Sequence, residues 1–261
     1  MNNKFDLLVI GGGHAGVEAA LVGCRFGLSV ALVTLDKLKI GRMSCNPAVG
    51  GIGKSHLVKE VDALGGYMCE ATDLSGIQFK TLNKKKGPAV QATRAQTDKE
   101  LYEKTIQKKI AETSMQVFDD EIIDFEERDG EIVAATGTSR TYHAKGFVLT
   151  TGTFLNGSIL IGDDQRKGGR IDEKNAAGLE KFFCNKDLKL GRLKTGTPPR
   201  LSRKTIDFSV MEEQPGEDGL FMSFLTNKNK HPEQTICHIT KTNKETHKII
   251  ADNINKSAMY S

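Results

Sequence analysis

Hydrophobic positions near the start of the chain fall in short solid blocks. Phe5 to Ile10 is apolar at every position but Asp6 and runs into Gly11-Gly12-Gly13, the pattern of a buried strand ended by a turn. From His14 to Phe26 the spacing becomes helical, with Ala15, Ala19 and Val22 on one face and Gly27 as the stop. Ser29 to Leu35 predicts a second buried strand. Lys54 to Leu64 predicts a helix with Leu57, Val61 and Leu64 on its apolar face, ended by Gly65-Gly66. Asp98 predicts the cap of another helix, on which Tyr102, Ile106 and Ile110 lie four apart. Gln116 to Ala144 alternates short strands with turns, Asp129-Gly130 being a hairpin signal, and Gly146 to Thr151 is again a buried strand. After Pro198-Pro199 the loops lengthen, and Glu212 to Gly219 is an acidic Pro/Gly segment. A last helix is expected from a capping box at Thr242-Asn243-Lys244-Glu245, carrying Ile249, Ile250 and Ile254. This places a domain boundary near 196–200, with one domain over residues 1–198 and the start of a second over 199–261.

Strand, glycine turn, helix and strand in succession form the opening of a doubly wound α/β domain. Gly11-x-Gly13-x-x-Gly16 sits between a strand and a helix, the context that gives this pattern meaning. The first glycine makes the tight turn, the second lets backbone approach a diphosphate, and the third lets helix and strand pack closely. Gly12, His14 and Ala15 complete the turn, at a helix N-terminus suited to an anion. The 27 glycines agree with such an architecture. An acid is expected at the end of the second strand, to bind a ribose; Thr34 stands there instead, with Asp36 two residues on. That weakens the case for an ordinary NAD site.

A second glycine-rich stretch, Ile40 to Ser44 followed by Gly50-Gly51, is placed where flavoproteins of the glutathione-reductase type bring backbone to their cofactor. The strand ending in Thr151-Gly152 resembles a later motif of the same group. Together these favour FAD over NAD as the tightly bound cofactor. Residues 48–55, AVGGIGKS, also match a loose phosphate-binding loop of the triphosphatases. That reading needs a strand directly before the loop and a partner strand ending in Asp. Met43 to Pro47 is short and proline-ended, and Phe147 to Thr151 ends in Thr.

Composition narrows the setting without choosing an activity. Five cysteines, at 24, 45, 69, 184 and 237, contain no C-x-x-C pair, which argues against a disulfide framework and a zinc site. Met1 to Lys4 lead straight into a strand, so no secretory segment is expected, and no run approaches the ~18 apolar residues of a membrane span. The expected compartment is reducing and cytoplasmic. A net charge of +4 permits a nucleic-acid partner without requiring one.

A set of longer motifs falls in order along the chain: GGGHAG at 11–16, MSCNPAVGGIGK at 43–54, VKEVDALGG at 58–66 and GIQF at 76–79. KGPAV and ATRAQ at 86–96, GTFLNG at 152–157, GRLKTGTPPR at 191–200 and TN-x-x-TH at 242–247 follow. In these the chain resembles the N-terminal part of the tRNA uridine 5-carboxymethylaminomethyl modification enzymes (the MnmG or GidA family). The resemblance implies a cytoplasmic homodimer that modifies C5 of the wobble uridine in tRNA together with a GTPase partner. It implies FAD as cofactor, NADH as reductant and methylenetetrahydrofolate as one-carbon donor, with much of the NAD site in a domain inserted from about residue 200. Family members are considerably longer, so a truncated product or a fragment is expected, ending before a second cysteine motif. Where the family has a serine close to the cofactor, this chain has Ala176, without a hydroxyl.

Cys45 is the candidate for catalysis. A thiolate adding to C6 of uracil makes C5 enolate-like and able to attack a one-carbon unit. A glycine-rich loop and a helix N-terminus just downstream are a setting that lowers a thiol pKa. The resemblance implies that Cys45 is one of two important cysteines, either the nucleophile or an assistant to the other, against the plainer reading of a packed, inert thiol; the remaining four read as structural. His14 is expected to touch cofactor rather than move protons. Lys80, Lys84, Lys85, Lys86 and Arg94 form one basic group, and Arg192, Lys194 and Arg200 a second. Each is either solvated surface or, given a tRNA substrate, a set of phosphate contacts. Besides the flavoenzyme, a non-catalytic FAD-binding fragment and a generic FAD-dependent oxidoreductase stay open.

Overall fold

The structure, a computed structural model, describes residues 4–43, 46–162, 164–171, 173, 175–227 and 232–257. The first apolar block forms strand β1 (Lys4–Ile10), the glycine turn leads into helix α1 (His14–Arg25), and the second block forms β2 (Val30–Thr34). The chain then builds a second layer from β3 (Ala48–Gly50), α2 (Lys54–Ala63), α3 (Met68–Ser75), β4 (Gly76–Leu82), β5 (Ala92–Thr97) and α4 (Lys99–Ala111). It returns through β6 (Gln116–Asp119), β7 (Ile122–Arg128), β8 (Glu131–Gly137) and β9 (Thr141–Leu149). A hairpin, β10 (Ser158–Ile161) with β11 (Asp164–Lys167), and helix α5 (Gly178–Asn185) follow. The last elements are β12 (Glu212–Gln214), β13 (Cys237–Ile239) and α6 (Lys244–Asp252).

Six strands form the main sheet in the order β6-β2-β1-β9-β8-β7. The first four are mutually parallel, and β9, β8 and β7 form an antiparallel meander. Both faces of β1 and β2 are covered, which is why they read as solid apolar runs. Val9 and Leu32 face a core shared with Val17, Phe79 and Ile106, while Leu8, Ile10 and Val33 face one shared with Tyr142 and Leu179. A separate antiparallel sheet of order β3-β5-β4 backs the first core, with Phe79 and Ala95 turned inward. The Asp129-Gly130 hairpin is as expected, both residues having positive φ, 52° and 83°.

Three local expectations are corrected. On α1 the buried stripe is Gly16, Val17, Ala20 and Gly23, while Ala15 is exposed and Val22 largely so. A Cβ at Gly23 would stand 2.8 Å from the Leu7 side chain, so the helix lies too close to the sheet for larger residues. On α2 the expected apolar face of Leu57, Val61 and Leu64 is exposed, and Ser55, Val58 and Asp62 are buried. Asp62 turns inward because Ser223 Oγ and the Phe224 amide donate to it at 2.7 and 2.9 Å. Asp73 on α3 likewise accepts from the amides of Met222 and Ser223 at 2.7 and 2.9 Å. The strap they hold buries Met222 completely. Helix α6 starts one residue later than the capping box implied, since Asn243 Oδ1 accepts from the Thr246 amide at 2.8 Å.

Asp120, just past β6, ties the parallel strands to the meander. It accepts from Thr138 Oγ1 and Ser139 Oγ, both at 2.6 Å, and from Tyr142 Oη at 3.0 Å. Burial alone would raise its carboxyl, but the hydrogen bonds from Ser139, Thr138 and Tyr142 outweigh it and hold the pKa below the ordinary 3.8. The stability this contributes is whole above that value and is lost as pH falls through the folded pKa. We expect Asp120→Ala to cost about 2 kcal/mol in urea unfolding at neutral pH, because it strands the buried Tyr142 hydroxyl and removes the acceptor of the exposed Thr138 and Ser139.

Candidate dinucleotide-binding site

The carboxyl ends of β1, β2, β6 and β9 meet on one edge of the sheet. Chain order reverses between β1 and β9, and in open α/β sheets ligands lie at such a point. The turn there is built without slack. Gly11 has φ +110°, and a Cβ on it would stand 2.4 Å from the Thr150 carbonyl oxygen. A Cβ on Gly16 would stand 1.8 Å from the carbonyl oxygen of Gly11. Thr150 Oγ1 braces the turn by donating to the carbonyls of Ile10 and Gly11, at 2.9 and 3.1 Å. Gly12 is wedged between Ile40 and Thr34, and its carbonyl accepts from the Gly41 amide at 2.9 Å.

Gly13 differs from its neighbours. It is the N-cap of α1, has an extended backbone with φ −75°, and a Cβ on it would meet nothing within 4 Å. The first-turn amides of a helix lack intrahelical partners and carry the positive end of its dipole, so this open space is suited to an anion. It opens on a cavity of about 250 Å³ at the sheet edge, lined by Gly11 to Gly13, Thr34, Asp36, Asp120 and Thr150 to Phe154. Thr34 and Asp36 both reach it, so the charged acceptor missing from the end of β2 is displaced by two residues rather than lost. Asp36 caps a short turn through the Leu38 amide at 2.9 Å and pairs with Lys39 at 3.3 Å.

A charged network closes one wall. Glu173 lies 3.3 Å from Arg42, 3.7 Å from Lys39 and 4.0 Å from Arg170, and Arg42 also pairs with Glu103 at 3.2 Å. Burial would lower the Arg42 pKa, but Glu103 and Glu173 outweigh it and raise it, so the guanidinium stays charged. Arg170 also stacks on Phe154, 5.4 Å from its ring centre. Asp120, Arg170 and Glu173 are sequence-distant and carry no local pattern. Beyond the glycine turn, Thr34 and Asp36, the part of the lining with a sequence signal is the Thr151-Gly152 step. Ala176 is buried against the same cavity, where the family resemblance implied a serine.

Gly11, Gly12, Gly13 and Thr34 therefore come together on the cavity, whereas His14, Ala15, Gly16, Gly50 and Gly51 do not line it. His14 starts α1 and meets Tyr102 edge to face, with ring centres 5.5 Å apart. Burial, with the charges of Lys54 and Arg170 adding to it, pushes His14 down to about 4, so it is neutral at neutral pH. Gly50 lies in β3, where a Cβ would stand 2.2 Å from the Thr93 carbonyl oxygen, and Gly51 has φ +108° with open space around it. Because β3 is antiparallel in the small sheet, residues 48–55 lack the parallel strand that a triphosphatase loop follows. Cys45 lies outside the described residues. Of the other cysteines, Cys69 is buried and pushed up to about 12 by burial, whereas Cys184 is exposed rather than packed. Among the described residues, no helix is long and apolar enough to cross a membrane.

A βαβ unit with a glycine turn, and a cavity at its carboxyl edge, defines a Rossmann-like dinucleotide-binding protein. A family model described as Glucose inhibited division protein A matches residues 6–261, and the chain belongs to that family. Two crystal forms of Aquifex aeolicus GidA are 44% identical to it, with TM-scores of 0.91 and 0.93. Each alignment covers 99% of this chain and 44% of the Aquifex chain, so the chain spans less than half of those relatives. A GidA-related protein from Thermus thermophilus shares the fold at 14% identity and TM-score 0.51, over 69% of this chain and 68% of that one.

Two substitutions separate packing from binding. Gly11→Ala should cost about 3 kcal/mol through strain at a positive φ and a backbone clash, read in urea unfolding. Gly13→Ala should cost under about 1 kcal/mol, yet weaken dinucleotide binding at least about tenfold by filling the anion space. For His14, the unfolded chain binds a proton between its ordinary 6.5 and about 4 that the folded chain does not. The stability it contributes is whole above that window and declines as pH falls through it. His14→Gln should flatten the pH dependence of the urea midpoint across the same interval.

Proposed function

We propose that this chain supplies the FAD-binding part of an enzyme that modifies the wobble uridine of tRNA, installing a carboxymethylaminomethyl or aminomethyl group at C5. The observation that carries the reading is the open anion space at Gly13, above a cavity built by the glycine turn, in a chain of this family. Gly12, Gly13 and the first-turn amides of α1 take the diphosphate of FAD, and Thr34 with Asp36 offers acceptors to its ribose. When bound, FAD supplies the electron transfer, with NADH as reductant and methylenetetrahydrofolate as one-carbon donor. The working assembly is a cytoplasmic homodimer joined to a GTPase partner. Residues 199–261 begin a second domain, entered through the continuously exposed stretch from Lys186 to Thr205 and anchored on the first core by the strap at 222–226.

Cys45 is assigned the nucleophile. Its thiolate forms a bond to C6 of uracil, and the C5–C6 π electrons move toward C5 and the O4 carbonyl. C5 would then bond to the electrophilic methylene carried by the one-carbon donor, whose C=N π pair moves onto the donor nitrogen; that nitrogen would later leave and an amine co-substrate add at the methylene. Loss of the C5 proton and expulsion of the thiolate restore the ring. Gly50 and Gly51 lie just downstream in sequence, ahead of the N-terminus of α2, the kind of surroundings that favour thiolate.

The test has two parts. The purified chain should be yellow, with the visible absorbance of a bound flavin; a colourless chain that FAD does not stabilise would remove the reading. In the full-length gene, expressed in a strain lacking its own enzyme, Cys45→Ser should lower modified uridine in bulk tRNA by about 100-fold or more at unchanged flavin content. Full modification by that variant sinks the role given to Cys45. Flavin binding with no turnover in any background would leave the chain as a flavin-binding fragment.

A further inference from the structure

We propose that the outer face of the small sheet β3-β5-β4 is a nucleotide-binding surface for the RNA substrate, holding phosphate on Arg94 and Lys80 and a base edge on Gln96. This rests on the tRNA reading above. Pairing register places Lys80 directly opposite Arg94, and Gln78 opposite Gln96. Alternation puts all four on the face away from the buried Phe79 and Ala95. On the other side of β5, Ala48 stands opposite Gln96 and Gly50 opposite Arg94, so small residues leave the row open. A cavity of about 220 Å³ lies there, lined by Gln78, Lys80, Asn83, Arg94, Gln96 and Gln214.

Two features mark the pocket as a site rather than a solvated surface. Like charges directly opposite each other on neighbouring strands repel. Among the described residues, neither Arg94 nor Lys80 has a carboxylate at ion-pair distance; Lys80 Nζ only approaches the Pro215 carbonyl, at 3.4 Å. The carboxylate at the rim, Glu217, is taken by Lys84 at 2.7 Å. An anionic ligand between Lys80 and Arg94 relieves the repulsion. The pocket is also preshaped: Gln78 Nε2 donates to the Gln214 carbonyl at 2.8 Å, and Gln96 Nε2 lies 3.6 Å from Cys237 Sγ.

The approach favours a polymer over a small anion. Lys85 and Lys86 are exposed beside the pocket, in a tight loop held by the Lys86 amide donating to the Asn83 carbonyl at 2.8 Å and by Gln91 Nε2 donating to the Lys86 carbonyl at 3.0 Å. Cations thus lead from the loop to the floor of the pocket, the layout that tracks successive phosphates. A carboxamide both donates and accepts, so Gln96 can pair with the edge of an unstacked base.

The experiment uses the 261-residue chain and a fluorescent anticodon stem–loop RNA, followed by anisotropy over a range of salt. Arg94→Ala and Lys80→Ala should each weaken binding about tenfold and reduce the salt slope by about one, with flavin content and circular dichroism unchanged. Gln96→Ala should weaken binding less and narrow the difference between RNAs altered at the loop bases. Arg94→Gln serves where Ala perturbs the fold. Wild-type affinity and slope in the folded Arg94 and Lys80 variants overturn the proposal, as does displacement of the RNA by NADH with these residues required for both. A flavin-bearing chain with unaffected RNA binding removes this inference alone. A chain that binds no flavin removes the function proposed above.

Discussion

The rest of the structure depends on one close approach, that of helix α1 to the turn it leaves. With a Cβ on Gly16 only 1.8 Å from the Gly11 carbonyl oxygen, no side chain of any size fits between them. That closeness aims the start of α1 at the sheet edge and lets Gly23, further along the helix, settle on Leu7 and Val30. Thr150 fixes the other side of the turn from the end of β9, a strand far away in sequence. The open space at Gly13 exists because every neighbouring position is full. Its emptiness is a product of tight packing around it.

Carboxylates hold the layers together where apolar packing does not suffice. Asp120 joins β6 to the meander, and Asp62 and Asp73 collect the strap at 222–226 against α2 and α3. Glu173 gathers three cations at the cavity wall. Buried or half-buried acids are tolerable there because each is met by several donors. The arrangement brings chemically distinct surfaces, an anion space over α1 and a cationic sheet face, onto one compact scaffold.

Much of the Rossmann-like half was legible in the sequence because its signals are local. The solid runs at β1 and β2, the Gly11 to Gly16 spacing, the Asp129-Gly130 hairpin and the stripe of Tyr102, Ile106 and Ile110 each report on neighbours a few residues away. What escaped was set by partners remote in sequence. Leu57, Val61 and Leu64 look like a core face, but Asp62 goes inward because the strap supplies its donors. The stripe of α1 was misplaced because Gly16 and Gly23 bury without adding hydrophobic weight. At the site, the glycines and Thr34 could be marked in advance. Asp120, Arg170 and Glu173 could not, since nothing near them in sequence shows that they share a cavity.

The strap also bears on how the polypeptide is made. Asp62 and Asp73 find their donors 149 to 162 residues later in the chain. On the ribosome, helices α2 and α3 therefore emerge with two carboxylates whose final partners have not yet been translated. Until Met222 arrives, the core beneath them lacks a fully buried side chain and the acids keep their water. The edge that carries the cavity, built from residues up to Leu179, can take shape earlier, while the second layer stays provisional. The strap is thus a latch: a later turn of chain docks and shuts the early helices in place.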